Sequence, residues 1–337
     1  MIDTTLPSQY REKLFLASGE THSGLSMRIA DAMGLKLGGV ILRTHPNTEQ
    51  YVRYEESVRG KHVMAIQPHA RTKDRSVSDA LHQHLEMIYA AKLASAAQIT
   101  AVAPNLAGAR QDRQSKGRES VSIALTLLML KLAGASRVVT VDLHSPQTLP
   151  VFDGPCDHLT AQPLLRESVR TRIVGDPAGY VVVSPDIGHS KMAEHHAQAL
   201  GVEVIHMTKT RDPHDSTKII RQSKVHGVNG RTCFIIDDIL DTAGTLQSAA
   251  ESLHNSGASR IVTAATHGWF SDPAIERLKN SPIDEIFITD TMPVDTAQEE
   301  LGSQLQVVSV SGMIAHALRE IVVEGSVSEI FQDQNHM

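Results

Sequence analysis

The chain is poor in cysteine, with only Cys156 and Cys233 among 337 residues. Two unpatterned thiols supply neither a disulfide framework nor a zinc site, so the fold must rest on buried apolar surface, and both are expected to be buried thiols. A membrane-length apolar run is also missing. The longest apolar stretch, Ile123 to Leu130, ends at Lys131, well short of the ~20 residues a spanning helix needs. No basic start leading into an apolar segment opens the chain, so a cytoplasmic protein is expected, with no membrane partner. Nor is positive charge in excess: 32 Lys and Arg against 38 Asp and Glu leave a formal net charge of −6. A general attraction to nucleic acid or anionic membrane is thereby excluded, and any phosphate binding has to be local. Histidines, by contrast, number 18, but they are scattered and are expected mostly at the surface.

The most informative stretch is Cys233 to Thr245, CFIIDDILDTAGT. An apolar run, Cys233 to Ile236, suits a buried parallel strand, with Asp237 and Asp238 expected at its C-terminal end, where open α/β sheets form ligand crevices. Asp241-Thr242-Ala243-Gly244-Thr245 then leads into the helix-like LQSAAESLHNSG. Hydroxyls, backbone N–H groups freed by a glycine and a helix N-terminus together suit a phosphate. Ionised carboxylates only accept hydrogen bonds and sugar hydroxyls donate them, so acids beside a phosphate cradle point to a ribose phosphate. For the string in isolation, a solvated acidic turn is the plain alternative.

Along the chain, apolar runs alternate with helical patterns, which predicts α/β architecture with mostly parallel sheets in two similar, doubly wound domains, 1–155 and 156–337. Leu14 to Ala17, Lys61 to Gln67, Ile99 to Val102 and the run SRVVTVDLHSPQ read as strands of the first half; YVVVS, VEVIHM, RIVTAATHG and EIFITD read as strands of the second. Gly39 to Gly60 reads as an antiparallel excursion turning at Pro46-Asn47. His69 to Asp79 reads as a mixed-charge loop, Phe152 to Leu165 as a turn-rich junction, and the closing helix as a candidate to pack back on the N-terminal half. RGKHVMAIQ and SAAQITAVAP are echoed by NGRTCFIID and GASRIVTAAT, as duplicated domains would be, although buried strands of α/β units look alike anyway.

An ordered set of motifs carries a resemblance over nearly the whole chain: NTE (47–49), ESVRG (56–60), ARQD (109–112), VTVDLH (139–144), SPD (184–186), DDILDTAGT (237–245) and THGWFS (266–271). It resembles the ribose-phosphate diphosphokinase, or phosphoribosyl-diphosphate synthetase, family, whose domains have the type I phosphoribosyltransferase fold. The resemblance implies transfer of the β,γ-diphosphate of ATP to the 1-hydroxyl of ribose 5-phosphate with release of AMP. It further implies that Asp237 and Asp238 hold the ribose hydroxyls, with Asp241, Thr242, Ala243, Gly244 and Thr245 cradling the 5-phosphate. On the same grounds Asn47 and Glu49 contact adenine, Arg110 and Gln111 bind ATP, His144 and Asp186 hold Mg²⁺, and Lys209 and Arg211 belong to the catalytic loop. Ser57, Arg59, Ser326 and Ser328 match parts of an allosteric phosphate site, with inorganic phosphate as activator. Self-association is implied too, as dimers or as dimers building a hexamer.

The chain departs from the family in several places. His45 stands where a phenylalanine usually packs on adenine, NLAG replaces an aromatic lead into ARQD, and His189 replaces a glycine after SPD. His69 to Asp79 does not match the regulatory loop, and its Arg71, Lys73 and Arg75 are expected to be able to hold an anion. Two alternatives remain: a non-catalytic synthetase-associated subunit, and a phosphoribosyltransferase, for which the ATP-type motifs would have no use.

Overall fold

Buried on both faces, the parallel strands of this chain read as unbroken apolar runs, and the computed structural model shows where each face goes. It describes residues 4–185, 190–207, 210–211, 219–220 and 224–331. The chain divides into two compact units. Unit 1 takes residues up to Ala161 with 291–293 and the segment from Ser309; unit 2 takes Gln162–Asp290 and Val294–Val308.

In unit 1 the strands are β1 (Leu14–Ser18), β2 (Val40–Thr44), β3 (Gln50–Tyr54), β4 (His62–Ile66), β5 (Gln98–Val102), β6 (Arg137–Val141) and β7 (Cys156–Leu159). The main sheet has order β1-β4-β5-β6-β7 and is parallel throughout. Alternate residues on one face, among them Phe15, Val63, Ala65, Ile99, Ala101 and Val138, pack with Met87, Ile88 and Ala91 of the helix Val77–Leu93 and Ile123, Leu127 and Leu130 of the helix Ser122–Ala133. The helix Ser311–Val323 belongs to this unit and packs on the helix Ser23–Ala32. β2 and β3 form the expected antiparallel hairpin, pairing from Val40 with Tyr54 to Thr44 with Gln50. It rests on the helix Val77–Leu93 through Tyr54, whose hydroxyl donates to the Met87 carbonyl at 2.9 Å. The stretch read as a turn-rich junction contains β7, which closes the sheet edge beside β6; CDHL is too short and too polar to announce a strand by periodicity.

Unit 2 contains β8 (Tyr180–Ser184), β9 (Glu203–His206), the two-residue pair β10 (Thr210–Arg211) and β11 (Ile219–Ile220), β12 (Thr232–Leu240), β13 (Arg260–Gly268), β14 (Glu285–Thr289) and β15 (Leu305–Val308). Its parallel sheet runs β15-β14-β13-β12-β8-β9. Successive positions along each strand go to opposite sides. Val181, Val183, Cys233, Ile235, Ile261 and Ile286 pack with the helices Gly244–Asn255, Ala274–Lys279 and Asp295–Leu301, whereas Val182, Phe234, Ile236, Val262 and Phe287 pack with Gln162–Arg170 and Ser190–Leu200. The chain adds β9 outside β8 and then returns to lay β12 on β8's other side, so the winding direction reverses between β8 and β12. Ligand crevices open at such a reversal, outside the C-terminal strand ends.

Burial of the thiols bears out in graded form: Cys233 is fully buried and Cys156 half-buried. Burial pushes their pKa values up to about 12 and about 11. The histidines are less superficial than expected, since His69, His84, His196 and His267 are all buried. Among the described residues no helix is long and apolar enough to cross a membrane.

Candidate active site

At the reversal in unit 2, β12 is longer than the apolar run alone suggests. Its pairing with β8 ends at Ile235 among the described residues, while pairing with β13 continues through Asp237 to Leu240 with Gly268. Asp237 and Asp238 therefore lie within the projecting end of the strand rather than after it, and both are half-buried. The Asp238 N–H donates to Asp237 Oδ1 at 2.8 Å, which orients the first carboxylate along the backbone.

Beyond Leu240 the loop turns on Ala243, which adopts φ 58° and ψ 4°. A left-handed alanine costs about 1 kcal/mol relative to an ordinary helical one, and such strain persists where the surrounding structure imposes it. Here it turns the chain directly into the helix Gly244–Asn255, whose first turn receives no side-chain cap and holds no acid. The N–H groups at such a helix start, with the exposed Thr242 and Thr245 beside them, are donors of the kind that can hold an anion. Sequence reasoning missed Arg277. Its Nη1 donates to the Thr242 carbonyl at 2.9 Å and lies 3.2 Å from where a Cβ on Gly244 would sit, so the guanidinium closes the outer side of the loop. Nothing near Arg277 in the chain marks it, because the helix Ala274–Lys279 meets this loop only in the folded unit.

Unit 1 carries most of the other candidates. The tip of the β2–β3 hairpin, 45–49, is closed by Thr48 N–H donating to the His45 carbonyl at 2.8 Å and His45 N–H donating to the Glu49 carbonyl at 2.7 Å. It brings Asn47 and Glu49 together: Asn47 Nδ2 donates to Glu49 Oε2 at 2.9 Å, and both side chains are exposed. His45 is exposed as well, its ring edge-on to Tyr51 at 6.2 Å between centroids. Arg110 is exposed and Gln111 half-buried in the loop after β5. That loop is set by Gly108, at φ +76°, where a Cβ would stand 2.7 Å from Ser122 Cβ. Only glycine allows the helix Ser122–Ala133 to start against it.

His144 is exposed just past β6. The turn that presents it depends on two groups sequence reasoning left unused. Asp142, buried and at φ 36°, accepts at Oδ2 from the Ala161 N–H at 3.0 Å, and His158 Nε2 accepts from the Leu143 N–H at 2.8 Å. Both bonds exist because β7 lies alongside β6. Asp186, the other expected metal ligand, and Lys209 lie outside the described residues; Arg211 is described by its backbone, paired with Ile219. Among the described residues no group of at least three His, Cys, Asp or Glu converges as a metal cluster. Ser57, Arg59, Ser326 and Ser328 are exposed in unit 1, with the Arg59 N–H donating to Ser57 Oγ at 3.4 Å. Of the cations expected to hold an anion in 69–79, Arg75 is already committed, ion-paired with Glu20.

Over nearly its whole length the chain is similar to known proteins. Residues 14–134 match the N-terminal domain of ribose phosphate pyrophosphokinase, and residues 222–332 match the phosphoribosyl synthetase-associated domain. The chain is 39% identical over 334 residues to the ribose-phosphate pyrophosphokinase of Bifidobacterium longum, covering 98% of this chain and 96% of that protein. It is 40% identical to the enzyme of that name from Mycobacterium bovis, covering 95% and 96% of the two chains. The crystal structure of phosphoribosylpyrophosphate synthetase from Mycobacterium smegmatis superposes with a TM-score of 0.81 at 36% identity, covering 93% of this chain and all of that one.

Proposed function

The chain belongs to the ribose-phosphate pyrophosphokinase family, and we propose that it transfers the β,γ-diphosphate of ATP to the 1-hydroxyl of ribose 5-phosphate. The products are AMP and 5-phosphoribosyl 1-diphosphate, for nucleotide biosynthesis. The observation that carries this reading is the loop 241–245, a left-handed alanine opening an uncapped helix directly after two strand-end carboxylates. A 5-phosphate sits at the N–H groups of that helix start while Asp237 and Asp238 accept from the ribose hydroxyls. On unit 1, Asn47 and Glu49 offer the adenine edge a paired amide and carboxylate, and Arg110 and Gln111 bind the ATP chain.

Diphosphate transfer is a matter of positioning and of neutralising charge on the moving group. Lys209 and Arg211 supply cations for that charge. A bound Mg²⁺ would supply further positive charge to the phosphate oxygens; His144 and Asp186 are the residues to hold it. A carboxylate such as that of Asp186 suits Mg²⁺, which is commonly held by one or two carboxylates with phosphates and water completing its shell, while His144, an imidazole, rests on the family match.

Self-association belongs to the same reading. Leu125, Leu128 and Leu132 share one face of the helix Ser122–Ala133 and are 56%, 46% and 76% exposed, as a face covered by a second copy would be. Ser57, Arg59, Ser326 and Ser328 provide hydroxyls and a guanidinium suited to inorganic phosphate as activator. A cytoplasmic setting accords with this chemistry.

The deciding experiment is release of AMP from ATP, assayed with ribose 5-phosphate, Mg²⁺ and inorganic phosphate each present or omitted. AMP that appears only with ribose 5-phosphate supports the transfer. No AMP in the complete mixture, from folded protein, would leave a non-catalytic synthetase-associated role.

A further inference from the structure

We propose that Arg75 is a positioning residue for the ATP base, fixing the hairpin tip that carries Asn47 and Glu49. The proposal rests on the reading of that tip as the adenine contact. Thr44 and Gln50 are the last paired residues of β2 and β3 before the tip. Arg75 grips both: Nη1 donates to Gln50 Oε1 at 3.2 Å and Nη2 to Thr44 Oγ1 at 3.3 Å, while the same Nη2 pairs with the Glu20 carboxylate. The tip itself is exposed and its hydrogen bonds run within it, so its direction is set by whatever holds its base.

What holds the base is fixed at the other end as well. Arg75 directly precedes Ser76, the N-cap of the helix Val77–Leu93, where a reciprocal capping box joins Ser76 and Asp79. The backbone that carries the guanidinium is therefore held in place. Glu20, in the turn after β1, is braced in its turn by Gln83 of that helix. Gln83 Nε2 donates to Glu20 Oε2 at 2.7 Å and to Gln50 Oε1 at 3.3 Å, and Gln83 Oε1 accepts from the Glu20 N–H at 3.0 Å. A planar guanidinium can serve acceptors from separate segments at once, which an ammonium does less well. The Arg75 side chain is only 14% exposed and its charge is matched by Glu20. It thus serves as a brace rather than as an anion receptor.

The test uses the intact enzyme and reads KM for ATP, KM for ribose 5-phosphate and kcat separately, with melting temperature as a fold check. Arg75→Ala is expected to raise KM for ATP about tenfold, the scale of a modest misplacement of a binding group. KM for ribose 5-phosphate should stay within about twofold, as should kcat at saturating ATP. Arg75→Lys should recover part of the loss, and Glu20→Gln, which keeps the side-chain shape, should raise KM for ATP in the same direction if Arg75→Ala folds poorly. Asn47→Ala separates the two layers of the argument. If Asn47→Ala weakens ATP and neither Arg75→Ala nor Glu20→Gln does, the brace is wrong and the hairpin reading stands. If Asn47→Ala is silent, the hairpin reading falls and the positioning role falls with it, whatever Arg75→Ala does. Combining Arg75→Ala with Asn47→Ala should cost less than the product of the separate effects, and full multiplicativity would overturn the proposal.

Discussion

His69 Nε2 lies 2.9 Å from His84 Nδ1 in the interior of unit 1, and both rings are fully buried. Their protons follow from the neighbours. The Ala107 N–H donates to His69 Nδ1 at 3.1 Å, so the His69 proton is on Nε2 and passes the bond to His84 Nδ1; His84 then donates from Nε2 to the Ala65 carbonyl at 3.0 Å. Every ring nitrogen is used and both rings are neutral. The pair replaces apolar packing with a relay that ties 69 to the loop leading into Arg110.

That arrangement has a pH signature. Burial lowers His84 from 6.5 to about 4, and burial together with its partner ring lowers His69 well below the ordinary range. Burial, with Arg137 nearby, lowers His62 to about 4. With folded values below unfolded ones, the stability is fully present above about pH 6.5. It is lost as pH falls toward 4, because the unfolded chain takes up protons the folded one refuses. Urea unfolding at pH 7.5, 6 and 5 should show falling midpoints, with a shallower fall in a His69→Gln, His84→Leu double variant. A pH-independent midpoint would remove the neutral-pair assignment.

Lys209→Ala should lower kcat by roughly two to three orders of magnitude and leave ribose 5-phosphate affinity within a few-fold, since a cation used in the transition state contributes little to ground-state binding. Steady-state kinetics with both substrates decide it. Retention of most of the turnover would take Lys209 out of the catalytic loop.

Asp238→Asn should instead weaken ribose 5-phosphate about tenfold, because an amide turns one acceptor toward hydroxyl donors into a competing donor. Calorimetry on the folded variant measures this directly. Unchanged affinity would make the acidic pair structural.

Two glycines in one loop provide an internal control. A methyl on Gly108 meets Ser122 and sits at positive φ, whereas one on Gly117 meets nothing within 4 Å. Gly108→Ala is expected to cost about 1–3 kcal/mol and to raise KM for ATP through Arg110 and Gln111. Gly117→Ala should stay within about 0.5 kcal/mol of the parent. Equal effects on melting and KM would show that the loop is not set by Gly108.

The alternation of apolar runs with helical patterns was legible because a strand buried on both faces must be apolar at every position. Val181, Val182 and Val183 point alternately to the two helical layers of unit 2 and none can be polar. The loop 241–245 was legible for a similar reason: its chemistry is local, and the glycine, hydroxyls and following helix are consecutive. β12 was read too short because Asp237 and Asp238 look like the end of an apolar run, yet the ladder to β13 is backbone pairing and continues beneath polar side chains.

What only the tertiary structure decided are the partnerships between segments. His69 and His84 look like scattered surface histidines until the register of the helix Val77–Leu93 over β4 brings their rings together. Arg75 looks like a free cation in a mixed-charge loop until Glu20, Thr44 and Gln50 arrive from distant parts of the chain. His158 and Arg277 acquire their roles only when β7 closes on β6 and when the helix Ala274–Lys279 meets the loop after β12. The chain by itself determined the fold class and the loop that opens the helix Gly244–Asn255, because burial on both faces and a local turn act through residue type and near neighbours. The braces that hold the site were decided in three dimensions, because a hydrogen bond between distant segments depends on distance and angle, which residue type does not encode.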